Sequence, residues 1–161
     1  MKPNRRKTIT GIALAAIVIL VVVLLVRGGG ENKKAAETSE KLGVNTAAQT
    51  NEQRVSFLKT FGWEVEEEPC EIVEIAVPAE FDEVYDNYNK IQKKQGFDLA
   101  EYKGMRMKRY SYTILNYPNE PENIRANLLV YQGNVVGGDV CSLQLDGFMH
   151  GFKLEKGKES E

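Results

Sequence analysis

The chain is 161 residues long, 42% apolar and 27% charged, with a formal net charge of −2. That composition excludes an intrinsically disordered chain, a collagen-like one and a multi-span membrane protein, and the length argues for one folded domain. The charge balance argues against a nucleic-acid binder, and one histidine with two cysteines excludes a zinc finger or iron–sulfur protein built on dedicated ligands.

The charge is split along the chain. Residues 1–51 hold eight Lys or Arg against three Glu, a net of +5, whereas residues 52–154 hold eleven against seventeen Asp or Glu, a net of −6. A basic anchor and an acidic folded module are the expectation. Residues 1–8 read as a cytoplasmic tail. Ile9 to Val26 then run for 18 residues without a charge. As a helix they cover about 27 Å, enough to cross a hydrocarbon core of about 30 Å. Lys2, Arg5, Arg6 and Lys7 precede the run and Arg27 follows it. The positive-inside tendency puts the N-terminus in the cytoplasm and the remainder outside. A cleavable signal peptide would carry an apolar run of about 7–15 residues ending at a small-residue site. This run ends in Leu24-Leu25-Val26-Arg27, so an uncleaved single-pass helix over 9–26 is expected, with the cell membrane as the location.

Residues 27–51 read as a flexible linker. They open on Gly28-Gly29-Gly30, and their only sizeable apolar residues are Leu42 and Val44, too few to offset the entropy of ordering. A short helix over Glu31–Leu42 is the alternative there. Such a linker spans on the order of 25–30 Å.

Residues 52–154 are long enough for an independent core. Thr50 with Gln53 forms a capping box ahead of Val55, Leu58 and Phe61, and Gly62 ends that helix. Trp63–Glu67 alternates as a strand, Pro69 interrupts, and Cys70–Val77 continues with Val73, Ile75 and Val77 on one face. Phe81, Val84, Tyr85, Tyr88 and Ile91 fall at helical spacing between Pro78 and Gly96. Met105–Asn116 is a long strand, and Asn116–Asn123, with two prolines, is a loop. Ile124–Tyr131 and Val135–Leu145 flank a Gly133-Asn134 hairpin turn, and Gly137-Gly138 marks a bulge or a close backbone approach. The order predicts an α+β domain outside the membrane: an antiparallel sheet of four to five strands with two helices on one face, followed by a disordered tail over 155–161.

Five segments, namely Phe57-Leu58-Lys59-Thr60-Phe61-Gly62-Trp63, Gln95-Gly96-Phe97-Asp98-Leu99, Tyr102-Lys103-Gly104, Arg125-Ala126-Asn127-Leu128-Leu129-Val130-Tyr131, and Gly137-Gly138-Asp139-Val140-Cys141-Ser142 running on to Gly147-Phe148-Met149-His150-Gly151, resemble a membrane-anchored family of clostridia and related Gram-positive bacteria, domain of unknown function 4830. The resemblance implies an extracytoplasmic domain on a Gram-positive cell. It brings no activity, substrate or catalytic residue with it.

The densest reactive cluster is Asp139, Cys141, Ser142, Asp146 and His150. Cys141 with His150, oriented by Asp139, would be a hydrolase or acyl transferase; the bland reading is a buried strand thiol and a hydrogen-bonded histidine. A zinc site from Cys141, His150 and Asp146 lacks a further histidine, and neither a metal nor a cofactor is expected. A Cys70–Cys141 disulfide, or a thiol-redox role, is a third reading that suits an exterior location. Six glutamates between Glu64 and Glu74 offer calcium oxygens without EF-hand spacing; the alternative is a solvated face paired with Lys103, Arg106, Lys108 and Arg109 across the sheet. Arg109, Tyr110 and Tyr112 form a candidate shelf for an anionic wall polymer, and Phe148, Met149 and His150 a candidate contact lip. The expected role is a non-catalytic binding or regulatory module whose partners are the membrane, through Ile9–Val26, and an envelope protein or wall polymer, without nucleic acid.

Overall fold

A computed structural model of the protein describes Glu37, Glu40 and residues 43–118 and 123–154. The chain divides into two compact units, residues 1–37 and 38–161; the fold described below is that of the second. The expected cytoplasmic tail, the expected helix over 9–26, most of the expected linker and the expected tail over 155–161 lie outside the described residues. Among the described residues no helix is long and apolar enough to cross a membrane.

Helix α1 spans Asn51–Lys59, and both capping-box bonds form between Thr50 and Gln53. Strand β1 is Glu71–Ala76. Helix α2 is Glu83–Lys94, started by the Asp82 side chain accepting from the Tyr85 N–H. A short 3-10 turn over Leu99–Tyr102 leads to β2, Arg106–Thr113. Strands β3 (Ile124–Tyr131), β4 (Asn134–Ser142) and β5 (Met149–His150) follow. The sheet has the order β1-β2-β3-β4-β5, and every neighbouring pair is antiparallel. This is the α+β sheet expected, at the five-strand end of the range.

The helices do not share a face. On β3, Ile124, Ala126, Leu128 and Val130 join one core with Phe57 and Leu58 of α1, Trp63, Tyr112 and Phe152. Leu129, on the alternate side, joins a second core with Val77, Leu99, Met107 and Val136, against which Tyr85 and Tyr88 of α2 pack. The sheet is therefore sandwiched between α1 and α2: the α1 side of β3 is apolar throughout, and its α2 side carries Leu129 and Tyr131 beside Arg125 and Asn127.

Four further expectations change. Trp63–Glu67 contributes a single bridge, Val65 to Ile114, instead of a strand. The hairpin turn is Gln132-Gly133, with φ of 47° and 79°, the left-handed pair a two-residue turn requires; Asn134 is already paired with Tyr131. Val84 is 77% exposed, and α2 instead buries Asn89 and Gln92. The linker does not reach Asn51: Thr46 and Ala48 are buried, and the segment pairs with the β3–β4 turn through Ala48 N–H to Gly133 O (2.7 Å) and Val135 N–H to Thr46 O (2.7 Å).

The outer edge of β4 is closed in three pieces. Residues 46–48 cover its start and β5 its end. Between them, Gly138 donates to Gln92 Oε1 at 2.8 Å and accepts from Gln95 Nε2 at 2.9 Å. Two side-chain amides, Gln92 of α2 and Gln95 just after it, thus replace a missing strand. The register slips by one residue between Leu129 and Val130, so the irregularity expected near Gly137-Gly138 is present, as a bulge at Val136.

Candidate functional site

Asp139 and Cys141 share the α2 side of β4. Asp139 is buried; its Oδ2 accepts from the Tyr88 hydroxyl at 2.8 Å and its Oδ1 from Asn127 Nδ2 at 2.8 Å. Asn127 Oδ1 accepts from Ser111 Oγ at 2.7 Å, and Asn127 Nδ2 also approaches Cys141 Sγ at 3.4 Å. Burial raises the Asp139 pKa above the ordinary aspartate range, against the opposing pull of Asn127, Tyr88, Cys141 and Arg109. Burial, then the Asp139 charge, raises the Cys141 thiol. The same two causes push Tyr88 well above the usual phenol value.

His150 is on the other side of the sheet. Cys141 is paired with Met149 and Val140 with His150, so strand alternation turns the imidazole away from the thiol. Its Nδ1 lies 2.6 Å from the Gly151 carbonyl and its Nε2 3.0 Å from the Tyr117 hydroxyl. A carbonyl only accepts, so Nδ1 carries a proton and donates to Gly151 O. The Cys141–His150 dyad is therefore not assembled. A thiol held protonated by burial and by the neighbouring Asp139 charge, with no imidazole beside it, is a poor nucleophile.

The disulfide does not form either: Cys70 and Cys141 are both free thiols. Cys70 sits beside β2, its N–H and Sγ both on Ser111 O, and β3 separates β2 from β4. Three strand spacings make about 14 Å, about twice the largest Cα separation a disulfide spans. Among the described residues no three His, Cys, Asp or Glu side chains gather where they could hold a metal ion.

The basic and acidic runs meet across the sheet as the alternative reading had it. Arg106 pairs with Glu74 at 2.7 Å and Arg109 with Glu71 at 2.8 Å. The polymer shelf is not one surface. Arg109 stands on the α2 side, while Tyr110 and Tyr112 pack into the core on the α1 side. Tyr112 is fully buried, its hydroxyl held by Arg54 Nε at 2.9 Å and Asn51 Oδ1 at 2.8 Å. The Arg54 guanidinium lies 3.9 Å from the centre of the Tyr110 ring.

Phe148, Met149 and His150 fare differently. Phe148 stacks with both Tyr117 and His150, and Tyr117 lies flat on Trp63. Met149 is about half exposed. Met149 and His150 form one wall of a cleft of about 640 Å³ between the end of α2 and the chain leaving β5. Its apolar lining includes Phe61, Phe97 and Phe152; Lys93, Lys94 and Lys153 are its charged residues, and none of its lining residues is acidic. The amide of Gln95 sets its shape, accepting from Phe152 N–H at 2.6 Å while donating to Gly138 O. Sequence reading missed the lysines. Lys93 and Lys94 look like ordinary complements to a helix C-terminus, and Lys153 reaches them only through the fold.

Residues 57–140 match the family described as a domain of unknown function (DUF4830). No curated protein and no solved structure matches the chain.

Proposed function

The chain belongs to the DUF4830 family, and from that premise we propose that it is a non-catalytic binding module of the cell envelope. A single helix over Ile9–Val26 holds it in the membrane, N-terminus in the cytoplasm and folded domain outside. Its ligand is an anionic wall polymer, taken up in the cleft between α2 and β5.

The observation that carries this reading is charge segregation. Residues 52–154 have a net charge of −6 (eleven basic, seventeen acidic), yet the cleft gathers Lys93, Lys94 and Lys153 with no carboxylate in its lining. Lys93 is already paired with Asp98 at 3.3 Å, so Lys94 and Lys153 supply the charge a polyanion in the cleft would meet, and fields from the more distant surface are screened beyond a Debye length of about 8–10 Å. Phe61, Phe97 and Phe152 give the uncharged parts of such a chain an apolar wall. The anchor rests on the uncharged 18-residue run with four basic residues ahead of it.

The test is titration of the full chain, in discs of zwitterionic lipid, with poly(glycerol phosphate). Binding is expected to weaken steeply with salt and to be lost in the triple variant Lys93→Glu, Lys94→Glu, Lys153→Glu. Equal binding by the triple variant would remove the cleft from the proposal, and recovery of the protein from the soluble cytoplasmic fraction would remove the anchor.

A further inference from the structure

The two edges of the sheet are treated in opposite ways. The β4 edge is sealed by residues 46–48, by Gln92 and Gln95, and by β5. The β1 edge has no strand, helix or side-chain cap among the described residues. Val77 donates to Met105 O at 2.9 Å and accepts from Gly104 N–H at 2.9 Å. Antiparallel alternation then turns the N–H and C=O of Val73 and Ile75 toward β2, and those of Ile72, Glu74 and Ala76 outward. These three outward residues are all exposed, Ile72 at 55%.

The charge of β1 and the segments flanking it is one-sided, although Glu74 and Glu71 are paired with Arg106 and Arg109 of β2. Between Lys59 and Lys90 there is no Lys or Arg, while ten Asp or Glu fall in the interval: Glu64, Glu66, Glu67, Glu68, Glu71, Glu74, Glu80, Asp82, Glu83 and Asp86. Glu64, Glu66, Glu67 and Glu68, just ahead of β1, are exposed and form no ion pair among the described residues, so they carry the charge an added strand would meet. Such charge keeps a second copy away, because two β1 edges would bring like charges together. A strand of opposite charge meets attraction instead. The exposed Ile72 side chain adds an apolar contact at an alternate position of the added strand.

The geometry points to β1 as a docking edge for an extended segment of a partner protein in which basic and apolar residues alternate, added as a sixth strand. Main-chain bonds to Ile72, Glu74 and Ala76 supply the pairing, and the glutamates select the charge. This interface is separate from the lysine-lined cleft and stands or falls independently of it.

The experiment is amide hydrogen exchange on the full chain in zwitterionic discs, with and without a peptide of alternating lysine and valine. The amides of Ile72, Glu74 and Ala76 are expected to exchange freely alone and to slow by about tenfold or more with the peptide. Those of Val73 and Ile75 stay unchanged. Ile72→Pro removes an outward N–H, a change edge strands tolerate, and should abolish the slowing at Glu74 and Ala76 while leaving the thermal midpoint in place. A peptide of equal charge interrupted by prolines keeps the test independent of that variant, because it cannot form the ladder and should give no slowing. Equal slowing by the interrupted peptide means general charge attraction and overturns the proposal. So does the absence of any slowing. Outward amides protected without added peptide also overturn it: the edge is then filled by a second copy if the protection depends on concentration, or by another part of this chain if it does not.

Discussion

Gln95 stands between Gly138 and the chain beyond β5 as if it were a residue of a missing strand, donating to the Gly138 carbonyl and accepting from the Phe152 N–H. Truncation to alanine leaves two backbone groups without their partners. Gln95→Ala is expected to cost about 2–4 kcal/mol, measured by urea titration with Trp63, the single tryptophan, as the probe. A loss below about 0.5 kcal/mol would mean that water replaces the amide without penalty.

Gly138 is the position least able to accept a side chain. Its φ is +153°, and an added Cβ would stand 2.1 Å from the Asn127 carbonyl oxygen and 2.4 Å from the Phe152 ring. Gly138→Ala should cost at least about 3 kcal/mol or prevent folding. Gly104→Ala makes the control, since φ there is +75° and nothing lies within 4 Å; strain alone should cost about 1 kcal/mol. Equal costs for the two variants would show that the close approach at Gly138 carries no energy.

Asp139 gives the stability a pH dependence of definite sign. Burial raises its folded pKa above the ordinary 3.8, so the folded state holds the proton more tightly than the unfolded chain does. The contribution of this group is fully favourable below the unfolded value and declines as pH rises through the folded one. In paired urea titrations, wild-type stability minus that of Asp139→Asn should fall with increasing pH across this window. A difference that rises with pH would show that the bonds from Tyr88 and Asn127 outweigh burial.

Cys70 and Cys141 report topology and thiol state together. Cys70 is exposed and Cys141 half-buried, both as free thiols. A membrane-impermeant maleimide applied to intact cells should modify Cys70 rapidly. Cys141, with its raised thiol pKa, should react only after denaturation. Failure of Cys70 to react in intact cells, with reaction after lysis, would put the domain on the cytoplasmic side.

Local features were legible in the sequence because local physics decides them. The Thr50–Gln53 box and the Tyr- and Thr-rich β2 both form where side-chain chemistry predicts. What the residues hide is parity and partnership. The apolar residues of β3 fall on both sides of the strand, a sign of burial from both faces, yet the order of elements alone suggests one covered face. Cys141 and His150 are nine positions apart, and only the β4–β5 pairing, Val140 with His150, decides that they point to opposite sides. Nothing in the sequence marks Gln92 and Gln95 as strand caps, although Gln92 is fully buried, because the edge they cap is far away in the chain. The cleft lysines were hidden for the same reason.

Trp63 Nε1 donates to the Phe152 carbonyl at 2.6 Å across 89 positions, and the Phe152 ring packs edge-on against Phe57 at 5.1 Å. The strands themselves join only sequence neighbours, so a nascent chain emerging N-terminus first can zip β1 to β4 progressively. It cannot bolt the α1 side shut until Phe152 has emerged. Until then Phe57 and Phe61 lack the ring that covers them in the finished domain, so closure of this side is the last step of synthesis-coupled folding.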